Sequence, residues 1–301
     1  MNKSADYTKG VWYATAAYFL WGGFPIYWKF LSGIPALQLV CHRIVWSCVL
    51  LLGLIAFQRD WNRLLAALRS RRVITIYTVA AVAVAINWFV FVWAVNEGFI
   101  VQVALGYFIN PLVSVCLGVI VFRERLRRLE WTAIALASAG VLYLSLFYGS
   151  FPWIALTLAC SFGTYGFMKK LAPLGAVLGL TLETSILFLP AAVFLLYAYF
   201  TGDVGFLHEN SLRNFLMIAA GPITTAPLLL FAAAARRIPL SMMGMLQYIN
   251  PTMQFLIGVL VYHEAFNAIQ FVGFGMVWTA LLLFAVQGYV SRRWFPVEET
   301  P

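Results

Sequence analysis

From residue 10 to residue 290 the chain passes from one long apolar stretch to the next with only short polar breaks. No other feature limits the fold as much. A helix needs about 20 residues to cross the hydrocarbon core of a bilayer, and a soluble domain could not bury so many segments of that kind. Composition agrees, with 63% hydrophobic and 10% charged residues over 301 positions and a mean hydropathy of +0.87; soluble domains carry roughly a quarter charged residues. Lipid offers backbone groups no hydrogen bonds, and the runs are too long and uniformly apolar for barrel strands, so helices are required. The expected spans are 10–31, 36–57, 73–95, 100–122, 128–146, 151–171, 176–200, 212–235, 240–262 and 267–290. This predicts an all-α integral membrane protein of ten transmembrane helices with no soluble domain.

The net charge of +9 then bears on topology and not on nucleic acid. With the N-terminus in the cytoplasm, the cytoplasmic segments hold Lys3 and Lys9; Arg59, Arg63, Arg69, Arg71 and Arg72; Arg123, Arg125, Arg127 and Arg128; Lys169 and Lys170; Arg236 and Arg237; and Arg292 and Arg293. The outer loops hold only Arg213, while Lys29 and Arg43 fall inside spans. That asymmetry follows the positive-inside rule and places both termini in the cytoplasm. No cleavable signal peptide is expected, because the run at 10–31 is too long and no small-residue cleavage site follows it. Cys41, Cys48, Cys116 and Cys160 all lie in apolar runs without a CxxC spacing, which suits helix packing better than a metal or disulfide framework.

One stretch occurs twice. Gly106-Tyr107-Phe108-Ile109-Asn110-Pro111 returns 140 residues later as Leu246-Gln247-Tyr248-Ile249-Asn250-Pro251. The match continues through Gly118 with Gly258, Val119 with Val259, Val121 with Val261, Phe122 with Tyr262 and Glu124 with Glu264. The first helices align more weakly, as Trp12 with Trp153 and Gly22 with Gly163. Two five-span repeats are expected, 1–147 and 148–301. Five is odd, so the second must be inverted. The basic turn at 123–128 corresponds to 263–268, which has no Lys or Arg, while Asn96-Glu97-Gly98 corresponds to Arg236-Arg237-Ile238. Basic residues exchange with sidedness while the helices stay alike, as an inverted repeat requires.

Several short motifs now stand in order along the chain: Ala17-Tyr18-Phe19-Leu20-Trp21-Gly22, His42-Arg43-Ile44-Val45-Trp46-Ser47, Asn87-Trp88, Trp93-Ala94-Val95-Asn96, residues 105–111 and residues 247–251. Together they resemble the EamA-type transporters of the drug/metabolite transporter superfamily, in the RarD-like branch. The resemblance implies a bacterial cytoplasmic (inner) membrane protein with ten helices in two inverted repeats. It implies a cavity lined by the first four helices of each half. It also implies export of amino acids or other small metabolites, with a multidrug or amphipathic-drug exporter of the same fold as the alternative.

Candidate residues follow from cost and symmetry. Arg43 lies about seven residues into the second span and Glu183 about seven into the seventh, so the repeat places them at equivalent depths. They could hold the carboxylate and ammonium of a zwitterion, or Glu183 could carry a proton; equally, both could form a buried bridge. Tyr107 and Asn110 share a helix face, as do Gln247 and Asn250, beside Tyr248. Pro111 and Pro251 each free a carbonyl four residues earlier, which fits a polar pocket or hinge, with a static kink as the plain alternative. Tyr18, Trp21, Asn87, Trp88 and Tyr165 are the aromatic and polar residues best placed to line a cavity; an aromatic wall with few polar anchors suits amphipathic organic solutes. Glu124 and Glu264 are expected to cap the helices that follow them.

An enzyme reading finds little support. There is no GxSxG or HExxH, there are three His, and Asp6, Asp60 and Asp203 all lie outside spans. No catalytic residue, metal ligand or cofactor site is expected. A channel lacks rings of acidic residues, and no Walker motif supports ATP-driven pumping. The expected partners are a small-molecule substrate and the lipid bilayer. Small-residue faces permit close helix contact but leave the oligomeric state open.

Overall fold

The apolar runs all fold as helices, as a solvent that cannot satisfy backbone groups demands. The computed structural model describes residues 3–97, 99–146, 151–202, 205–207, 210–263 and 268–294, and among them there is no β-strand. In chain order the helices are α1 (Lys3–Gly22), α2 (Phe24–Phe30), α3 (Ala36–Gln58), α4 (Trp61–Leu68), α5 (Arg71–Asn96), α6 (Ile100–Ile120), α7 (Arg128–Leu146), α8 (Trp153–Leu171), α9 (Ala176–Thr201), α10 (Ser211–Ala235), α11 (Leu240–Gln247), α12 (Ile249–Val261) and α13 (Ala268–Trp294). Six of them, α3, α5, α6, α7, α9 and α10, are long and apolar enough to cross a membrane.

Two expected spans are broken. The first divides at Gly23, whose amide bonds back to the carbonyls of Phe19 and Leu20, and Pro25 then opens α2. The ninth divides at Tyr248, between α11 and α12. Pro251 has no amide to offer the Gln247 carbonyl, so the helix loses a bond at that point. Pro111, by contrast, lies within an unbroken α6. The segment read as a basic loop contains α4. Its Leu64 and Ala67, three residues apart, bury one face against Ile55, Tyr77 and Leu182, while Arg63 pairs with Asp60 at 3.4 Å on the surface.

Packing fixes two ends of the bundle. At one end, rich in basic residues, Arg237 pairs with Asp6 at 3.1 Å, and Arg236 donates to the carbonyl of Leu174 at 2.7 Å. There the Leu174 amide donates to the Tyr77 hydroxyl at 3.2 Å, and Lys170 donates to the carbonyl of Ile238. Glu124 reaches this cluster too. Its carboxylate accepts from the amides of Leu240 and Ser241 at 2.7 and 2.9 Å and from the Ser241 hydroxyl at 2.6 Å. It thus caps α11, 116 residues away, and not the α7 that follows it. Glu130 satisfies the start of α7 instead, accepting from the Arg127 amide at 2.7 Å. Glu264 lies outside the described residues, as does Gly98. At the opposite end Arg213 donates to Ser32, Tyr27 to the carbonyl of Leu216, and the Gly205 amide to Gln38.

Between the ends, α1 packs against α10 and α12, α8 against α5 and α6, α3 against α9 and α10, α6 against α11, and α7 against α13 at the periphery. The α3–α10 seam is in backbone contact. A Cβ on Gly221 would meet the backbone carbon of Trp46 at 2.5 Å and the Ser47 amide nitrogen at 2.8 Å, and the Ser47 hydroxyl donates to the Gly221 carbonyl at 3.1 Å. Gly221→Ala therefore forces the helices apart, at a cost of about 1–3 kcal/mol. Thermal unfolding of the solubilised protein should show a lower midpoint, and an unchanged midpoint would contradict this packing.

Candidate functional site

A cavity of about 370 Å³ lies in the half of the bundle away from the basic end, where α1, α2, α3, α5, α6, α8, α10, α11 and α12 converge. Helical spacing builds its walls. Trp21, Phe24 and Trp28 recur at i, i+3 and i+7 across the α1–α2 break; Asn87, Trp88 and Phe91 descend α5; Gly106, Tyr107 and Asn110 face in from α6; Gln247, Asn250 and Gln254 do so from the α11–α12 break. Phe162 and Leu158 close the side formed by α8. The surface is mainly aromatic with a few convergent polar groups, the usual make-up of a small-molecule site.

Arg43 is the one charged side chain lining this cavity among the described residues. It is 8% exposed. Its Nε donates to the Thr224 hydroxyl at 3.0 Å, and the guanidinium lies 4.4 Å from the Trp88 ring centre and 5.3 Å from that of Trp28. No carboxylate among the described residues pairs with it. The aromatic faces offset part of the desolvation of that charge. Two neutral groups are left open as well. The amide oxygens of Asn110 and Gln247 are buried and accept no hydrogen bond among the described residues. Asn250, by contrast, accepts from Gln254 at 2.9 Å, and Asn87 donates to the Leu158 carbonyl and the Ser161 hydroxyl.

Of the residues singled out in the sequence, the cavity gathers Trp21, Arg43, Asn87, Trp88, Tyr107, Asn110, Gln247 and Asn250. The others sit elsewhere. Glu183 is not beside Arg43; it pairs with Lys169 at 2.5 Å and accepts from the Tyr165 hydroxyl at 3.3 Å, all three buried. Both Arg43 and Glu183 are the eighth residue of their helices. However, α3 starts at the Gln38–Gly205 end and α9 at the basic end, so the two charges are mirrored in depth. Between them lies an aromatic plug in which Tyr165 stacks on Phe231 at 5.7 Å and Tyr18 meets the same ring edge-on at 6.2 Å. Tyr248 is in the peripheral core, its hydroxyl donating to the Phe108 carbonyl.

The sequence reading missed Trp28 and Phe162 as cavity residues and Lys169 as the partner of Glu183. Spacing could have found Trp28, seven residues after Trp21. Lys169 gave no such signal, because beside Lys170 at the end of a span it resembles an ordinary topogenic charge. Among the described residues no cluster of three or more His, Cys, Asp or Glu could hold a metal ion.

A model of the EamA-like transporter family matches residues 8–146. The Bacillus subtilis (strain 168) protein named "Uncharacterized transporter YojE" is 44% identical over 292 residues, covering 96% of this chain and 97% of its own. Protein RarD of Escherichia coli (strain K12) is 41% identical, covering 95% and 96% respectively. The chain belongs to the EamA-like transporter family, in its RarD-like branch. A solved crystal structure at 16% identity also superposes with a TM-score of 0.66 over 94% of this chain and 98% of its own, which shows a shared fold. The RarD-like protein described here is therefore a multi-pass membrane transporter with a small-molecule substrate. The names of its relatives point to transport and away from enzyme chemistry.

Proposed function

We propose that this RarD-like chain is a secondary transporter that exports small metabolites, amino acids foremost, across the bacterial cytoplasmic membrane by alternating access. The observation that carries the proposal is the cavity itself: aromatic walls, a guanidinium that pairs with no carboxylate among the described residues, and the side-chain amides of Asn110 and Gln247, with the aromatic plug around Phe231 on the side toward Glu183. In this proposal the basic end is cytoplasmic, the termini are on that side, and the cavity faces outward. The two repeats, 1–147 and 148–301, rock about the cavity, and the α11–α12 break beside Pro251 gives one of them a joint.

Packing supports the inverted repeat. An offset of about 140 residues, the separation of the two Asn-Pro pairs, relates α1–α2 to α8, α3 to α9, α5 to α10, α6 to α11–α12 and α7 to α13. The α1–α12 contact then mirrors α8–α6, α1–α10 mirrors α8–α5, and α3–α10 mirrors α9–α5, while α3–α9, α6–α11 and α7–α13 are self-paired. A two-fold axis in the membrane plane gives that pattern. The aromatic walls also suit a broader amphipathic exporter. A Pseudomonas aeruginosa relative, 31% identical, is named "Chloramphenicol-sensitive protein RarD".

The test is flux. Purified protein in liposomes should accelerate counterflow of at least one aromatic or aliphatic amino acid at least about tenfold over empty vesicles, a difference of about 1.4 kcal/mol in barrier. Absence of protein-dependent flux for amino acids and amphipathic metabolites alike, with and without a pH gradient, would sink the proposal.

A further inference from the structure

Resting on the reading that this cavity holds the transported solute, we propose that it selects organic anions. An amphipathic monocarboxylate places its carboxylate on Arg43 and its apolar body among the rings, and cationic solutes are rejected. Three observations converge on this class. Thr224 takes only Nε of Arg43, so both terminal nitrogens remain free among the described residues. Those two nitrogens form the planar fork that matches a carboxylate with two parallel hydrogen bonds. Trp28 and Trp88 lie against the guanidinium and help to hold it in place.

The acidic group that could have served an ammonium is removed from the site. Glu183 is neutralised by Lys169 on the far side of the aromatic plug, so among the described residues no carboxylate lines the cavity to pair with a cationic head group, while Arg43 repels one. The amide oxygens of Asn110 and Gln247 are sealed from the cavity, so what these two lining side chains can offer a solute is their NH2 groups, which donate and so suit an anion. A guanidinium, amide donors and aromatic rings in one cavity describe a solute with an aromatic or otherwise apolar body and a carboxylate.

Three indoles that differ in one group test this on the full-length solubilised protein by equilibrium dialysis. Indole-3-acetate should bind at least about tenfold more tightly than uncharged indole-3-acetamide, as loss of a charge-assisted pair implies. Tryptamine, the cation, should bind weakest. Arg43→Gln should bring the acetate-to-acetamide ratio to within about twofold of unity, and Arg43→Lys should keep part of it, since a point charge attracts without the fork.

Comparable binding of tryptamine and indole-3-acetate would overturn the proposal, and so would no saturable binding by any of the three. The wild-type series decides the matter even where a variant fails to fold. Flux of the same probes in liposomes separates the two readings. Arg43-dependent anion binding without flux leaves the selectivity standing and removes the transport reading. Flux of tryptamine but not of the anion does the reverse.

Discussion

Glu183→Gln destabilises the solubilised protein by about 3–5 kcal/mol, the cost of breaking a buried ion pair from one side. Lys169 is 2% exposed, and Glu183 is its one carboxylate partner among the described residues. With glutamine at 183 the ammonium keeps a hydrogen bond at best and loses its counter-charge at a buried site. The Tyr165 hydroxyl loses a charged acceptor at the same time. Replacing both members with apolar residues of similar size, Glu183→Leu with Lys169→Met, should recover most of the loss, because such pairs often contribute little net stability. A double-mutant cycle on thermal or denaturant unfolding measures both effects. If the single substitution is neutral, the pair is not the static tie its geometry indicates. A proton-carrying role for Glu183 would then regain weight, and with it a selective loss of proton-driven flux in the Glu183→Gln variant.

Glu124→Ala frees the start of α11. Three hydrogen bonds to one carboxylate are lost, and the amides of Leu240 and Ser241 are left without their acceptor at the positive end of the helix. Bonds to a charged group contribute about 1.5–3 kcal/mol each, so losing even one of them net should speed local opening ten- to a hundredfold. Hydrogen exchange of the segment 238–246 reads this directly. Glu124→Gln should fall between wild type and alanine, since its amide oxygen still accepts. Exchange no faster than wild type would remove the tie. In the alternating-access proposal this carboxylate also holds the cytoplasmic side shut. The alanine variant should therefore admit water-soluble labels to the plug around Phe231 from the basic end. Gly118 fits the same arrangement, since a Cβ there would lie 2.5 Å from the Glu124 carboxylate and 2.9 Å from the Ser241 amide.

What the sequence made legible was whatever is written along one helix. The apolar runs all became helices, and the face shared by Tyr107 and Asn110 does point into the cavity with Gln247 and Asn250. What depends on two helices meeting was harder to read. Arg43 and Glu183 are each the eighth residue of their helices, yet α3 and α9 start at opposite ends of the bundle, so like position along a helix is not proximity. The partner of Glu183 lies 14 residues upstream on α8, one helix earlier, where it was counted among the charges that set topology. Glu124 lies at a turn where capping the next helix is the local expectation, and only the fold brings α11 within reach. The short α4 was obscured because its apolar face is one turn deep between arginines.

Arg43, the one charge lining the cavity among the described residues, also sets the electrical character of the proposed cycle. With a monoanion against Arg43 the site is neutral, and emptied it carries one positive charge. The transmembrane voltage, worth about 2.3 kcal/mol per charge per 100 mV across the full thickness, then acts on the empty carrier and not on the loaded one. With the cytoplasm negative, that force draws the vacant site back toward the inner face. The membrane's electric field would thus reset the carrier after release, while the solute itself leaves as part of an uncharged pair.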